Sequence, residues 1–190
     1  MPAKRLPLPR APLSRTSLYC PVAARQRGLT LIEVLVSLAI FALVVGGAIA
    51  LFGSASNSQS TTQMTSDLNA IRSSTKSLFL GQGGYGSTSL TEILINSKKI
   101  PATMSVSGTA PSRVVTHALN GTLLVMGANS SFTVTASSMP TSVCVGLATM
   151  NGWDSVKIGT AAARTPPVSP AQASTDCSAA AVQDMVFTGS

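Results

Sequence analysis

One carboxylate in this sequence stands where carboxylates are costly. Residues 31–53 read LIEVLVSLAIFALVVGGAIALFG, 23 residues in which Glu33 carries the only charge. An ionisable group in such a run marks a function by default, because hydrocarbon does not solvate it. The chemistry it offers is an ion pair with a cation brought to it. Three cysteines follow a different logic. Cys20 belongs to the basic N-terminal stretch, which leaves Cys144 and Cys177. One remaining pair fits a single disulfide in an oxidising compartment. His117 is the sole histidine. Two cysteines and one histidine give too few ligands for a metal site, so none is expected.

Enzymatic chemistry finds little support. Neither G-x-S-x-G nor H-E-x-x-H occurs, and His117 lies near no nucleophile motif. An enzyme reading would need His117 with Asp154 or Asp176 in hydrogen-bond reach of an exposed serine. Gly81-Gln82-Gly83-Gly84-Tyr85-Gly86 fits G-x-G-x-x-G, but it follows a helical pattern instead of a strand. No acid stands about 20 residues later, so the dinucleotide reading fails and a flexible connection is expected. No cofactor is predicted.

The net charge of +7 suggests an acidic partner until its distribution is read. Six of the 13 basic residues are Lys4, Arg5, Arg10, Arg15, Arg25 and Arg27, with no acid among them. From Leu29 onward seven basic residues face six acidic ones. The remainder is nearly neutral and rich in Ser and Thr. No specific nucleic acid is expected as a partner.

The apolar run exceeds the about 20 residues that a spanning helix requires. Backbone groups in a bilayer must be satisfied internally, so the run should be helical. The basic residues precede it, which puts the N-terminus in the cytoplasm and residues 54–190 outside. A cleaved secretory signal would have a shorter apolar region and a small-residue site; Ala48, Ala50 and Ala55 leave that reading open. A lipoprotein site at Cys20 lacks a preceding apolar stretch.

The run Arg25-Gln26-Arg27-Gly28-Leu29-Thr30-Leu31-Ile32-Glu33 resembles the class III signal of type IV prepilins and pseudopilins. Gly28, Leu29 and Glu33 occupy its glycine, first mature residue and fifth mature residue. The resemblance implies cleavage between Gly28 and Leu29 by a prepilin peptidase and N-methylation of Leu29. Glycine suits the cut because its bare backbone enters a tight protease site. The 28-residue leader, Leu at the first mature position and the lack of proline in residues 29–53 resemble the type IVb group. The segments GQGGYGSTSL and KKIP and the stretch from Cys177 to Phe187-Thr188-Gly189 are similar to major pilins of type IVb thin pili.

That resemblance gives Glu33 a partner: the new α-amino group of Leu29 on a neighbouring subunit. At about 4 Å the attraction is roughly 4 kcal/mol at an effective dielectric near 20, before desolvation is subtracted. The blander reading places Glu33 at the headgroup level. Ala42, Gly46 and Ala50 form a small-residue row that lets helices approach closely, unless it is ordinary helix composition. Gly46-Gly47 is also a weak point in the helix, by about 1 kcal/mol per Gly relative to Ala.

Past the apolar run, Met64, Leu68, Ile71, Thr75 and Leu78 fall on one helical stripe with Phe79 beside it. The whole helix would have about 50 residues and a length of roughly 75–80 Å. Gly81, Gly83 and Gly84 stop it. Ser89-Leu90-Thr91-Glu92 has capping-box spacing for a short helix to Ser97. Residues 113–118 and 122–126 read as strands joined by Asn120-Gly121. Residues 131–136, 155–158 and 184–188 complete the strands. Ser138 and Pro140 open a helix toward Met150 that carries Cys144. Residues 165–170 read as an irregular loop. Cys144 and Cys177 are expected to bridge, closing a loop of about 34 residues worth roughly 3–4 kcal/mol. In pilins such a C-terminal disulfide delimits an exposed region.

These readings give an α+β chain with the type IV pilin fold, a long N-terminal helix packed on an antiparallel sheet. Residues 1–28 form the leader, 29–53 the transmembrane assembly helix, 54–80 its amphipathic half and 81–190 the head. The resemblance implies a structural subunit that polymerises with copies of itself into an extracellular filament for adhesion, aggregation or conjugation. Its other partners are the prepilin peptidase and N-methylase, an inner-membrane assembly platform, and the lipid bilayer before assembly. The precursor would sit in the bacterial inner membrane, leader cytoplasmic and head periplasmic. A minor pilin or tip adhesin, or a type II secretion pseudopilin, would share the N-terminal signal.

Overall fold

Polar residues at one end of the apolar run fix where its helix begins. The computed structural model describes residues 30–190, apart from the side chains at 50 and 52–54. The leader, Cys20 and the Gly28–Leu29 bond lie outside the described residues. Two compact units divide the chain, one ending at Val44 and the other running from Val45 to Ser190. Helix α1 (Leu31–Leu78) has 48 residues. The Thr30 carbonyl accepts from the N–H groups of Glu33 and Val34 at 3.0 and 3.3 Å. The Thr30 hydroxyl shares the Glu33 N–H, accepting from it at 3.4 Å, so Thr30 caps the helix start.

In the second unit, α1 buries the predicted stripe. Met64, Leu68 and Ile71 are essentially inaccessible, and Thr75 joins them by donating its hydroxyl to the Ile71 carbonyl. Helices α2 (Thr91–Asn96), α3 (Thr141–Ala148) and α4 (Pro170–Cys177) complete the α elements among the described residues. The strands are β1 (Ser105–Ser107), β2 (Val114–Thr116), β3 (Thr122–Ala128), β4 (Ser131–Pro140), β5 (Ser155–Ile158) and β6 (Val182–Gly189). They form one sheet in the order β1-β2-β3-β4-β6-β5, antiparallel at every pairing. Period-2 alternation puts Phe132, Val134 and Ala136 of β4 in the core beside Met185 and Phe187 of β6. The alternation breaks at a bulge between Ala136 and Met139, where Ser138 has φ 57° and donates its N–H to Asp184 Oδ1. A chain of ring contacts, Phe79–Tyr85–Phe132–Trp153–Phe187, ties the end of α1 through the sheet to β6.

Four expectations need correction. The Gly81–Gly86 connection is fastened rather than flexible. Tyr85 N–H donates to the Asn129 carbonyl and Asn129 N–H to the Gly86 carbonyl, both at 2.7 Å; Gly127 N–H reaches Thr88 and Leu90 N–H reaches Val125. The reason is that short β2 pairs only with Thr122 and Leu123, and the glycine-rich segment satisfies the groups of β3 left open beyond them. The Ser89/Glu92 capping box does not form. Leu90 is the N-cap, Thr91 exchanges hydrogen bonds with the backbone of Val125, and the Glu92 carboxylate binds Arg113. Ser138 and Pro140 belong to β4, and α3 begins only at Thr141 with extended Pro140 as its N-cap. Finally, the loop read over residues 165–170 ends one residue early. Ser169 caps α4 by accepting from Gln172 N–H, with Pro170 in its first turn. Ser-Pro before a polar run was the available signal.

Candidate assembly interface

The apolar side chains of the first part of α1 are uncovered. Leu31–Ile49 has a mean hydropathy of 2.5, and none of it is buried. Phe41 is 67% exposed and Leu43 78%. Exposure extends around the helix, so one protein surface along one side would not cover it. By length and composition the span is long and apolar enough to cross a membrane. The small residues sit within it as row positions. Ala42 and Gly46 are exposed, and a Cβ at Gly46 or Gly47 would meet nothing within 4 Å. The Ala50 side chain is outside the described residues.

Glu33 lies in the first turn of α1 and is exposed. The capping hydrogen bond from its N–H to Thr30 reveals a second, local property of this residue. Thr30-Leu31-Ile32-Glu33 has capping-box spacing, and an acid in the first turn also suits the helix dipole. Sequence reasoning passed over this because the motif overlaps the apolar signal. The capping spacing itself was there to be read.

The head carries the disulfide. Cys144 on α3 and Cys177 on α4 are joined, S–S 2.00 Å, with Cα atoms 5.9 Å apart. Both cysteines are fully buried. The bridge makes one unit of the segment between them, whose own polar anchor is a salt bridge. Arg164 donates to both carboxylate oxygens of Asp176, at 2.5 and 3.1 Å, and Gln172 adds a third hydrogen bond. The guanidinium hydrogen bonds hold Asp176 below the usual carboxylate value and hold Arg164 above its own. Arg164 also exchanges backbone hydrogen bonds with Val156, which covers the free edge of β5.

His117, Asp154 and Asp176 do not assemble into a catalytic group. His117 is buried; its Nε2 donates to the Ser137 carbonyl at 3.0 Å and its Nδ1 accepts from Leu119 N–H at 3.3 Å. Asp176 is committed to Arg164. Among the described residues no three His, Cys, Asp or Glu side chains cluster as a metal would require.

Comparison with known proteins places this architecture. The family described as PilS N terminal matches residues 58–190, and the prokaryotic N-terminal methylation motif matches residues 23–49. The major structural subunit of bundle-forming pilus of Escherichia coli O127:H6 (strain E2348/69 / EPEC) is 28% identical over 173 residues, covering 80% of this chain and 88% of the relative. The protein of the same description from Escherichia coli O111:H- matches to the same extent. The crystal structure of a type IV b pilin from Salmonella typhi superposes with a TM-score of 0.53 at 25% identity, covering 65% of this chain and 97% of that one. The chain therefore belongs to the PilS N-terminal family and is a type IVb-like pilin, a structural subunit and not an enzyme.

Proposed function

We propose that this pilin is made as a precursor, cut between Gly28 and Leu29, N-methylated at Leu29 and polymerised through residues 29–53 into an extracellular filament. The observation that carries the proposal is the 19-residue apolar span with no side chain buried, beginning inside the match to the methylation motif. Before assembly the bilayer covers that span, with the leader cytoplasmic and the head periplasmic. In the filament, neighbouring copies cover it, and the row Ala42, Gly46, Ala50 sets how closely the helices approach. The peptidase, the N-methylase and the inner-membrane assembly platform are its transient partners. The domain plan is leader 1–28, assembly helix 29–53, amphipathic half 54–80 and head 81–190. The relatives described as major structural subunits support the same role here. The filament would serve adhesion, aggregation or conjugation.

Glu33 would select register. Cutting at Gly28 creates the amine of Leu29, and a subunit added out of register leaves the carboxylate without it. N-terminal sequencing and intact mass of sheared filaments test the processing. The expected start is N-methylated Leu29; any other start, or absence of the chain from filaments, overturns the proposal. Glu33→Ala and Glu33→Gln both remove the charge and keep the backbone N–H that Thr30 caps. Both should insert in the membrane and lose filament yield. Normal yield from Glu33→Gln would show that the charge does not select register.

A further inference from the structure

Two Asn-Gly dipeptides occur in the head, Asn120-Gly121 and Asn151-Gly152, and the fold treats them oppositely. Asn-Gly is the dipeptide most open to spontaneous deamidation, since glycine leaves the following amide nitrogen unshielded. Attack requires that nitrogen to swing onto the asparagine side-chain carbonyl, so the peptide between the two residues must be free to turn. At Asn120 it is held. Asn120 has φ 61°, its N–H donates to the His117 carbonyl, and the Gly121 carbonyl accepts from His117 N–H, each at 3.0 Å. Gly121 is buried, and a Cβ on it would collide with the Ser137 carbonyl and the His117 ring.

At Asn151 neither residue is held in this way. Asn151 and Gly152 are both exposed, in a bend after α3 that belongs to no strand or helix. Gly152 has φ +100°, which favours glycine there. A cation also waits beside the backbone. A Cβ on Gly152 would stand 3.0 Å from Arg72 Nη1 and 3.7 Å from its Cζ. The guanidinium rests over the Trp153 ring at 5.6 Å, and its Nε is buried without a hydrogen-bond partner. It is therefore a fixed positive charge whose hydrogen-bonding capacity is not used up.

We propose that Asn151-Gly152 is a site of self-modification, an intramolecular deamidation assisted by Arg72. The Gly152 nitrogen gives its proton to water and bonds to Asn151 Cγ. Negative charge gathers on the side-chain oxygen, and the guanidinium that faces the neighbouring Gly152 is the cation that would favour it. The Cγ–Nδ2 bond then breaks, and the nitrogen leaves as ammonia with a proton taken from water. Water opens the resulting succinimide at either carbonyl, giving aspartate or isoaspartate at 151. Each product carries a carboxylate at 151, one residue before the glycine that Arg72 faces. Arg72 acts as a positioning residue here, since it neither gives nor takes a proton.

The test needs no variant to begin. One tryptic peptide, 114–157, contains both dipeptides, so each reports under the same conditions. The purified full chain in detergent is aged near neutral pH, in parallel with a denatured sample. Fragment-resolved mass spectrometry then follows amide-to-acid conversion at each site. Asn151 should convert several-fold faster than Asn120 in the folded chain, and the ratio should fall toward one on denaturation. Equal conversion in the folded chain, or faster conversion at Asn120, overturns the proposal. Arg72→Gln should slow Asn151 and leave Asn120 unchanged, with Arg72→Lys restoring part of the rate. An unchanged rate at Asn151 in a folded Arg72→Gln chain removes Arg72 from the mechanism.

Discussion

Two stretches of α1 solve the same problem with opposite means. Residues 31–49 are apolar nearly all round and entirely uncovered. Residues 64–75 are mostly polar, yet Met64, Leu68 and Ile71 are no more than 1% exposed. A helix apolar on every side asks for surroundings on every side, whereas a striped helix needs one partner. The sheet supplies that partner for the stripe. Under the proposed function, the uncovered stretch gets its surroundings from lipid or from neighbouring copies. Hydrophobicity alone therefore does not say where a helix contributes to folding; periodicity does.

The sharpest way to break that comparison is to truncate the same residue type in both stretches. Leu68→Ala opens a void in the head and should cost about 2–5 kcal/mol. Leu38 is 59% exposed, so Leu38→Ala should leave the unfolding of the head unchanged. Denaturant titration followed by Trp153 fluorescence reads both. Equal losses would mean that residues 31–49 contribute to the head after all. Removing the disulfide should come next. Replacing Cys144 and Cys177 with serine frees a segment with a sequence separation of 33 and should cost about 3–4 kcal/mol by chain entropy. Insertion of the apolar stretch in membranes should not respond. Thermal unfolding with and without reductant checks the first claim, and carbonate extraction of membranes the second.

The contrast also explains how much was legible beforehand. The stripe, the hairpin at Asn120-Gly121 and the inward residues of β4 follow from local periodicity, and the sequence states them directly. The fastening of Gly81–Gly86 onto β3 depends on β2 being too short to cover its neighbour, a fact about distant residues. Strand β1 has three exposed residues and no alternation of burial, so no pattern marked it. The cap at Ser169 was readable but lost in a proline-rich segment. At the candidate interface, Glu33 and the small-residue row were visible as chemistry. That Thr30 also makes Glu33 part of a helix cap emerged from the hydrogen bonds.

A smaller and pH-dependent effect belongs to His117. Burial holds its imidazole below the ordinary value of 6.5, against the opposing pull of the Ser137 hydrogen bond and the Asp67 charge. The unfolded chain thus binds the proton more readily than the folded one. The contribution is fully present above the unfolded value and is lost as pH falls below it, with a slope of at most about 1.4 kcal/mol per pH unit. Protonating Nδ1 would also set it against the Leu119 N–H that it now accepts from. His117→Gln should flatten this part of the stability profile, measured by urea midpoints across mildly acidic pH. A profile unchanged by the substitution would place the acid sensitivity elsewhere.

The smallest effect should come from Glu92 and Arg113, whose side chains are 20% and 23% exposed. Hydrogen bonds from the Arg113 side chain and backbone, stronger than the opposing desolvation, hold the Glu92 carboxyl below its ordinary value of 4.5. The stabilisation is therefore present above that value and fades as pH falls through the lower folded one. Solvent reaches the pair, so added salt should weaken it. Glu92→Gln should lower the urea midpoint of the head slightly at neutral pH and low salt. At acidic pH, where both chains are uncharged at 92, the difference should vanish. The pair fastens α2 to the start of β2 within the head, so filament yield should stay level. A fall in yield with an unchanged midpoint would show that this surface, and not only the uncovered helix, meets a neighbouring subunit.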